Sequence, residues 1–454
     1  MGSADLPSRG GVSFARVDSD PGMVEPAPPT RFARARRAVG SLAVDRTPFR
    51  VSADYRRIWW AELVSQAGTQ ITIFAVFYQI TTLTGSAAKV GLVGLVQFVP
   101  LTLATIFGGP VIDRADRRKI LLITQSGLVA TSSTLLVGSL LGKPPLVLIY
   151  AAAGVAAGLS GISAPTRGSI VPNLIPVEML SSAVALNQVM WNTAMVAGPA
   201  LGGVIIGVAG LPWAYGVDVA SFAASIYATY RLSPQIPRRD GAPASTSLAA
   251  IKEAFAFLRG KRVLQATFVV DLVAMIFGLP RALFPILAVR RFHAGAEVAG
   301  VMFSAIGVGA VLGAATTGWV VRVRRQGLAV LVAVVIWGGS IALFGLVRSL
   351  GVALALLVAA GAADVVSAVF RGTILQATVT DAVRGRLSAI HILVVTGGPR
   401  LGDVEAGLVA AAFTPAVSVV SGGLACIAGV AALAFLMPEF ARYVAPGKRE
   451  RPAV

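Results

Sequence analysis

Eight ionisable side chains interrupt otherwise apolar stretches of this sequence: Glu62, Asp218, Asp271, Arg281, Asp364, Arg400, Asp403 and Glu405. Each falls in a run long enough to cross a bilayer, where a charge is costly and needs a partner or a watery cavity. Glu62, Gln66 and Gln70 recur at i, i+4 and i+8, one polar stripe along a helix face. Arg400 and Asp403 stand three residues apart, a spacing that lets them pair along one helix, with Glu405 close by. A carboxylate buried beside an arginine can exchange a proton as its pairing changes between conformations. Arg400, Asp403, Glu405 and Asp364, which sits near the middle of its run, are therefore candidates for proton coupling. A static pair that fixes helix packing is the alternative. Glu62 lies within a turn or two of the end of its run, so simple hydration is open for it too.

Positioning these groups takes twelve spanning helices, read at 58–83, 88–112, 120–141, 145–165, 182–209, 212–231, 263–289, 297–320, 327–347, 351–371, 387–411 and 416–437. The composition agrees. Hydrophobic residues make up 56% of the 454 and charged residues only 13%, about half the share usual in soluble domains. Mean hydropathy is +0.77. The 49 glycines suit close helix packing in lipid. A net charge of +18 would suggest nucleic acid in a soluble chain, but its distribution argues for membrane orientation. With the N-terminus inside, the outward loops hold five of the 39 Lys and Arg: Lys89, Lys143, Arg290, Arg291 and Arg348. Arg281 and Arg400 fall within spans, and the remaining 32 lie on the inner side, as the positive-inside rule requires. The first fifty residues, rich in Pro, Arg, Ala and Ser, have no apolar core and are not a signal peptide; they read as a disordered cytoplasmic tail, a plain solvated one or one whose Arg34, Arg36 and Arg37 touch anionic lipid, the solvated tail being the favoured reading.

The single cysteine, Cys426, and two distant histidines, His293 and His391, leave no disulfide framework or metal cluster. There is no phosphate-binding loop and no Ser/His/Asp grouping, so neither ATP hydrolysis nor other enzyme activity is expected, and no cofactor. The chain also repeats itself. Tyr55–Arg231 and Val263–Phe440 each hold six spans. Arg167-Gly168-Ser169-Ile170-Val171 matches Arg371-Gly372-Thr373-Ile374-Leu375, and Gly198-Pro199-Ala200-Leu201-Gly202-Gly203 matches Gly398-Pro399-Arg400-Leu401-Gly402-Asp403. The domains expected are a tail (1–50), a six-helix bundle (51–231), a linker (232–262), a second bundle (263–440) and a tail (441–454). Within the linker, Leu248 to Leu258 is amphipathic and suits the inner membrane face.

Between spans 2 and 3, Gly109 to Lys119 reads Gly-Pro-Val-Ile-Asp-Arg-Ala-Asp-Arg-Arg-Lys. Asp113 can accept from backbone amides or from an arginine across the two halves, and Arg114, Arg117 and Arg118 offer forked donors to carboxylates or lipid phosphates. A plain topogenic cluster is the alternative. The pattern from Gly109 through Asp113 and Arg114 to Arg117 and Arg118 resembles the loop between helices 2 and 3 of major facilitator superfamily transporters, where it latches the halves in one orientation. The departure is Asp116, where most members carry Gly, which puts the tight turn in question. Gly198-Pro199-x-x-Gly202-Gly203 resembles the span-5 signature of the superfamily's exporters, with Ala194 where that signature has Gly; ordinary small-residue packing is the alternative.

The resemblance implies an all-α membrane protein: twelve transmembrane helices in two six-helix bundles related by a parallel pseudo-repeat, with the substrate path between them. Spans 1, 4, 7 and 10 line the central cavity in that fold, which implicates Glu62, Gln66, Gln70, Asp271 and Asp364. Trp59, Trp60, Phe74, Phe77, Tyr78 and Phe98 cluster in spans 1 and 2, where they can stack on a planar substrate or anchor the chain at the lipid interface. Several stretches resemble the branch that holds the bacterial enterobactin exporter and the macrolide efflux proteins. They are Ser65-Gln66-Ala67-Gly68, Leu83-Thr84-Gly85-Ser86, Val171-Pro172-Asn173-Leu174-Ile175-Pro176, Ala185-Leu186-Asn187-Gln188, Leu375-Gln376 with Arg384-Gly385-Arg386, and Tyr215-Gly216 and Phe284-Pro285. This implies a monomeric exporter of a siderophore-like small molecule, driven by protons, in the bacterial inner membrane with both termini cytoplasmic. A multidrug or macrolide pump, an uptake symporter and a transport-dead sensor or scaffold are the other readings. No nucleic acid is expected as a partner.

Overall fold

The computed structural model describes residues 45–236, 248–379 and 381–445. The expected tails, apart from their inner edges, and the linker arginines Arg238 and Arg239 lie outside the described residues.

Two signals shape the first helices. Ser52 and Ser86 accept from Tyr55 N and Lys89 N, capping α1 (Ala53–Thr84) and α2 (Ala87–Arg114) at their N-termini. Gly85, at φ +60°, ends α1 in the left-handed conformation that glycine tolerates. Asp116 caps α3 (Arg117–Leu140) from an extended backbone at φ −60°, taking the Arg118 N–H, and also accepts from Gln235 N at 2.9 Å. The turn that family members make with Gly is thus made here without a positive φ, and the doubt raised by Asp116 is resolved.

The first half continues with α4 (Leu146–Leu174), α5 (Leu180–Ala209) and α6 (Leu211–Tyr230). The second half begins with α7 (Arg262–Phe277), which breaks and resumes as a 3-10 turn, Arg281–Leu283, and a short helix, Phe284–Arg290. It then adds α8 (Ala296–Thr316), α9 (Gln326–Leu346), α10 (Leu350–Thr378), α11 (Asp381–Ala412) and α12 (Pro415–Leu436). No strand occurs among the described residues. Nine spans there are long and apolar enough to cross a membrane by length and composition. The other long helices, α1, α6 and α11, mix charges, serines, glutamines or tyrosines into theirs. Bulky apolar side chains such as Ile123, Val208 and Phe435 are exposed, as a lipid-facing belt requires.

One expectation needs correcting. Span 4 was placed at 145–165, yet α4 runs to Leu174, with Pro165 and Pro172 inside it. Likewise α10 runs to Thr378 rather than 371. Membrane helices tolerate internal proline because neighbouring groups satisfy the freed carbonyls. Arg167 and Arg371 therefore lie inside spanning helices, not in basic loops.

Loops at 115–116, 175–179 and 323–325 share one end of the molecule with Arg114, Arg117, Arg118, Arg322, Arg324 and Arg325; this is the basic end. At the other, sparse end, the halves are zipped together, α2 against α11 and α5 against α8. Glycines make the approach possible: a Cβ on Gly407 would sit 2.7 Å from the Cα of Gly91, and one on Gly203 would sit 2.6 Å from Ala296 O. Arg290 Nη2 adds a hydrogen bond to Gly85 O at 2.8 Å. Behind this seam, Phe303 of α8 meets Phe74 and Phe284 edge to face, with centroids 5.5 and 5.2 Å apart. The expected amphipathic helix is present at Leu248–Leu258 and packs its Phe257 and Leu258 against Leu264, Phe268, Leu387 and Ile390 at the basic end.

Candidate functional site

Glu62 enters from α1, nine residues past its start and so about 14 Å along the helix axis. It is buried at 6% exposure and forms an ion pair with Arg167 of α4, Nε to Oε1 at 3.0 Å. The pair lies on a cavity of about 250 Å³ lined also by Tyr55, Trp59, Gln66, Asn187 and Trp191. The cavity joins one charged pair to an apolar, aromatic wall, a combination suited to an amphiphile. Gln70, third in the polar stripe, turns elsewhere: its amide approaches Met195 Sδ and its Cβ packs on Gly198 of α5.

The second half repeats the arrangement. Asp271, nine residues past the start of α7, is buried at 2% exposure and pairs with Arg371 of α10, Nη2 to Oδ1 at 2.8 Å. Arg167 and Arg371 occupy matching places in the repeat. Four residues before each stands a fully buried serine, Ser163 and Ser367, whose hydroxyl has no hydrogen-bond partner among the described residues. Asp364 and His391 lie within electrostatic reach of Asp271 and Arg371. The predicted cavity residues Asp271 and Asp364 are thus brought together, and Glu62 with Gln66. The two arginines that complete these sites were visible only as repeat markers.

The α11 charges are arranged differently from the expectation. Asp403 pairs with Arg281, not Arg400, at 3.2 Å, and accepts the Ala282 N–H at 3.2 Å. Arg400 instead donates to Thr396 O on its own helix. Helical side chains lean toward the N-terminus, so Arg400 lies over the preceding turn while Asp403 faces the break in α7. There Asp403 satisfies the start of the resumed segment, and Trp337 Nε1 donates to Gly278 O at 2.7 Å to satisfy the end of α7 proper. Glu405 is partly exposed and joins neither pair.

In the gating loop, Asp113 and Arg114 are exposed. Arg117 Nη1 donates to Ser169 O at 3.0 Å, and Arg118 Nη2 to Tyr230 O at 2.6 Å. Both acceptors belong to the same half, so among the described residues these two hydrogen bonds stay on one side of the seam. The span-5 signature works on two faces: Gly198 and Gly202 pack on α1, while Gly203 and the Pro199 carbonyl meet α8 at Ala296 and Gly300. Phe74 and Phe77, read as possible stacking platforms, are almost fully buried against Phe303 and belong to the closed seam.

The described helices place one buried ion pair at an equivalent position in each half, and the halves are joined at the sparse end. A family profile described as transmembrane secretion effector matches residues 44–449. The enterobactin exporter EntS of Citrobacter koseri is 26% identical over 392 residues, covering 86% of this chain and 94% of that protein. EntS of Shigella boydii is also 26% identical, covering 86% and 93%. Among solved structures, a bacterial homologue of the iron transporter ferroportin in its inward-facing state superposes with TM-score 0.66 at 14% identity, covering 86% of this chain and 98% of that one. The D-xylose–proton symporter gives TM-score 0.65 at 13% identity, covering 84% and 98%. Both likenesses are of fold.

Proposed function

As a chain that belongs to the major facilitator superfamily, in its transmembrane secretion effector family, this protein is, we propose, a proton-coupled exporter of a siderophore-type amphiphile across the bacterial inner membrane. The observation that carries the proposal is the repeated buried pair, Glu62–Arg167 and Asp271–Arg371. Each pair offers a guanidinium fork to anionic or catecholate oxygens and a carboxylate to a proton. The enterobactin exporters among its relatives handle such a molecule.

The basic end faces the cytoplasm by the positive-inside rule, with both termini there. The conformation then opens inward, with the sparse end sealed. Substrate and proton alternate on the same pairs. Substrate oxygens take the arginine donors on the outward passage; the carboxylates take protons on the return, forming O–H bonds, and give them up inside when the arginines pair again. The two halves rock about the α2–α11 and α5–α8 contacts. In the outward-open state the Asp113 loop crosses to the other half as the inner latch, and Pro199 with its flanking glycines flexes α5. One copy of the chain is the working unit, with the bilayer as its surroundings.

The test is deletion of the gene under iron limitation. The expected result is a fall in secreted siderophore that wild type restores and Arg371→Ala does not. Unchanged secretion with raised macrolide sensitivity would replace the proposal with drug efflux, which the apolar wall of Tyr55, Trp59 and Trp191 also suits.

A further inference from the structure

Asp218 stands apart from both ion pairs. It lies on α6, is 1% exposed, and has no cation within ion-pair distance among the described residues. Its carboxylate is instead cradled by hydroxyls. Thr72 of α1 and Ser132 of α3 each donate to Oδ2 at 2.7 Å, and Ser221 lies 3.4 Å from Oδ1. Gly68 admits this group against α1, where a Cβ would stand 2.7 Å from Oδ1. A spanning helix that buries a carboxylate among donors without a counter-ion is holding a charge whose compensation lies elsewhere.

A cation lies across the seam, on the far wall of a shared cavity. Asp218 and Arg400 line the same cavity of about 70 Å³, together with Thr69, Gln97 and Ser160. Arg400 comes from α11 of the other half, held there because its carbonyl abuts Gly94 of α2. Its Nε is buried without a hydrogen-bond partner, and its donation goes to a carbonyl of its own helix. The repeat puts Ala200 at the matching place, so the charge exists on one side only. Among the titratable groups at this point, Asp403 and Arg281 also act on Arg400 but are paired with each other at 3.2 Å, and Tyr215 lies one turn from Asp218 on α6. The span of α5 has none, those of α3 are confined to Arg117, Arg118 and Lys119 at its start, and on α1 Glu62 and Tyr78 stand ten and six residues from Thr72.

We propose that Asp218 is a further proton-binding site, beside Glu62 in the first half, with Arg400 as its counter-charge from the second half, so that its proton occupancy sets how tightly the sparse end of the seam is held. When Asp218 is ionised, it attracts Arg400 and α11 stays against α2. When a proton binds an Asp218 oxygen, that attraction goes and the seam loosens. This rests on the proton-coupled reading of the molecule and adds a site to it.

The test places spin labels at Lys89→Cys and Phe413→Cys, flanking the α2–α11 contact at the sparse end, in a Cys426→Ala background of the full chain in liposomes. The label separation is measured against pH without substrate or gradient. Wild type is expected to show a short separation near pH ~8 and a growing long one on acidification, as the carboxylate takes up its proton. Asp218→Asn should show the long population already near pH ~8, Arg400→Gln should do the same, and the double variant should add nothing. Ser132→Ala, which removes one donor from the ionised form while keeping the carboxylate, should move the transition to higher pH by up to about tenfold in proton concentration. It covers the case in which Asp218→Asn fails to fold. An Asp218→Asn protein with the wild-type separation and pH response, or a Ser132→Ala transition that does not move, overturns the site. Absence of pH-driven flux alongside the expected label behaviour would count against antiport and leave the site standing.

Discussion

Arg371 and Arg167 are basic side chains that hydropathy assigns to cytoplasmic loops, yet both are drawn inside the bundle by a carboxylate on another helix. Removing one member of such a pair strands a buried charge and costs about 3–5 kcal/mol, whereas replacing both by apolar groups of similar size is close to neutral. Arg371→Ala should therefore lower the thermal midpoint of the purified protein sharply. Asp271→Asn combined with Arg371→Met should recover most of it, while both variants lose transport. Equal melting of the single and double variants would mean that the pair carries little of the burial cost. The partners of Glu62 and Asp271 were not legible because each contact spans about a hundred residues of sequence, and spacing along a chain reports only neighbours on one helix. The repeat of Arg-Gly-x-Ile after spans 4 and 10 was the available signal, and it marked the right residues without saying what they touch. The Arg400–Asp403 pair failed for a related reason: i,i+3 spacing permits contact, but the lean of helical side chains and the broken α7 decided the partners.

The break in α7 explains why α11 carries a carboxylate where α5 carries Gly203. Gly278-Leu279-Pro280 interrupts the hydrogen-bond ladder, and in lipid each freed group needs a partner. Trp337→Phe leaves Gly278 O without its donor and should cost about 1–3 kcal/mol in unfolding free energy. A change within error would show that another group takes over the carbonyl. At the seam, Gly203→Val forces side-chain atoms into the Ala296 carbonyl and the adjoining turn of α8. It should prop the sparse end open, so that an impermeant thiol reagent reaches a cysteine placed at Ala296 at least about tenfold faster, on the scale of a lost closed state. Unaltered labelling would show that α8 yields locally. The twelve runs and the amphipathic linker stretch were legible because apolar length is a strong signal. The ends of α4 and α10 were not, since Pro165 and the arginines beyond resemble a loop until a buried partner is known.

Taken together, the two halves meet at the sparse end, and each carries a buried ion pair at a matching place in the repeat. The fold could be read from hydropathy, the repeat and the Gly109–Lys119 motif, because these encode membrane threading directly. Substrate chemistry could not, since the cavity wall combines Tyr55, Gln66, Arg167 and Trp191 from three helices. If the basic end is cytoplasmic and open, a cysteine at Asn187 should react with an impermeant maleimide in inside-out vesicles and not in intact spheroplasts; the reverse pattern would invert the topology. The most direct measurement is uptake of a catecholate siderophore into inside-out membrane vesicles whose lumen is made acidic. The account predicts accumulation above vesicles lacking the protein, abolished by a protonophore and by Arg371→Ala. Accumulation no greater than in vesicles without the protein, or uptake indifferent to the proton gradient, would contradict it.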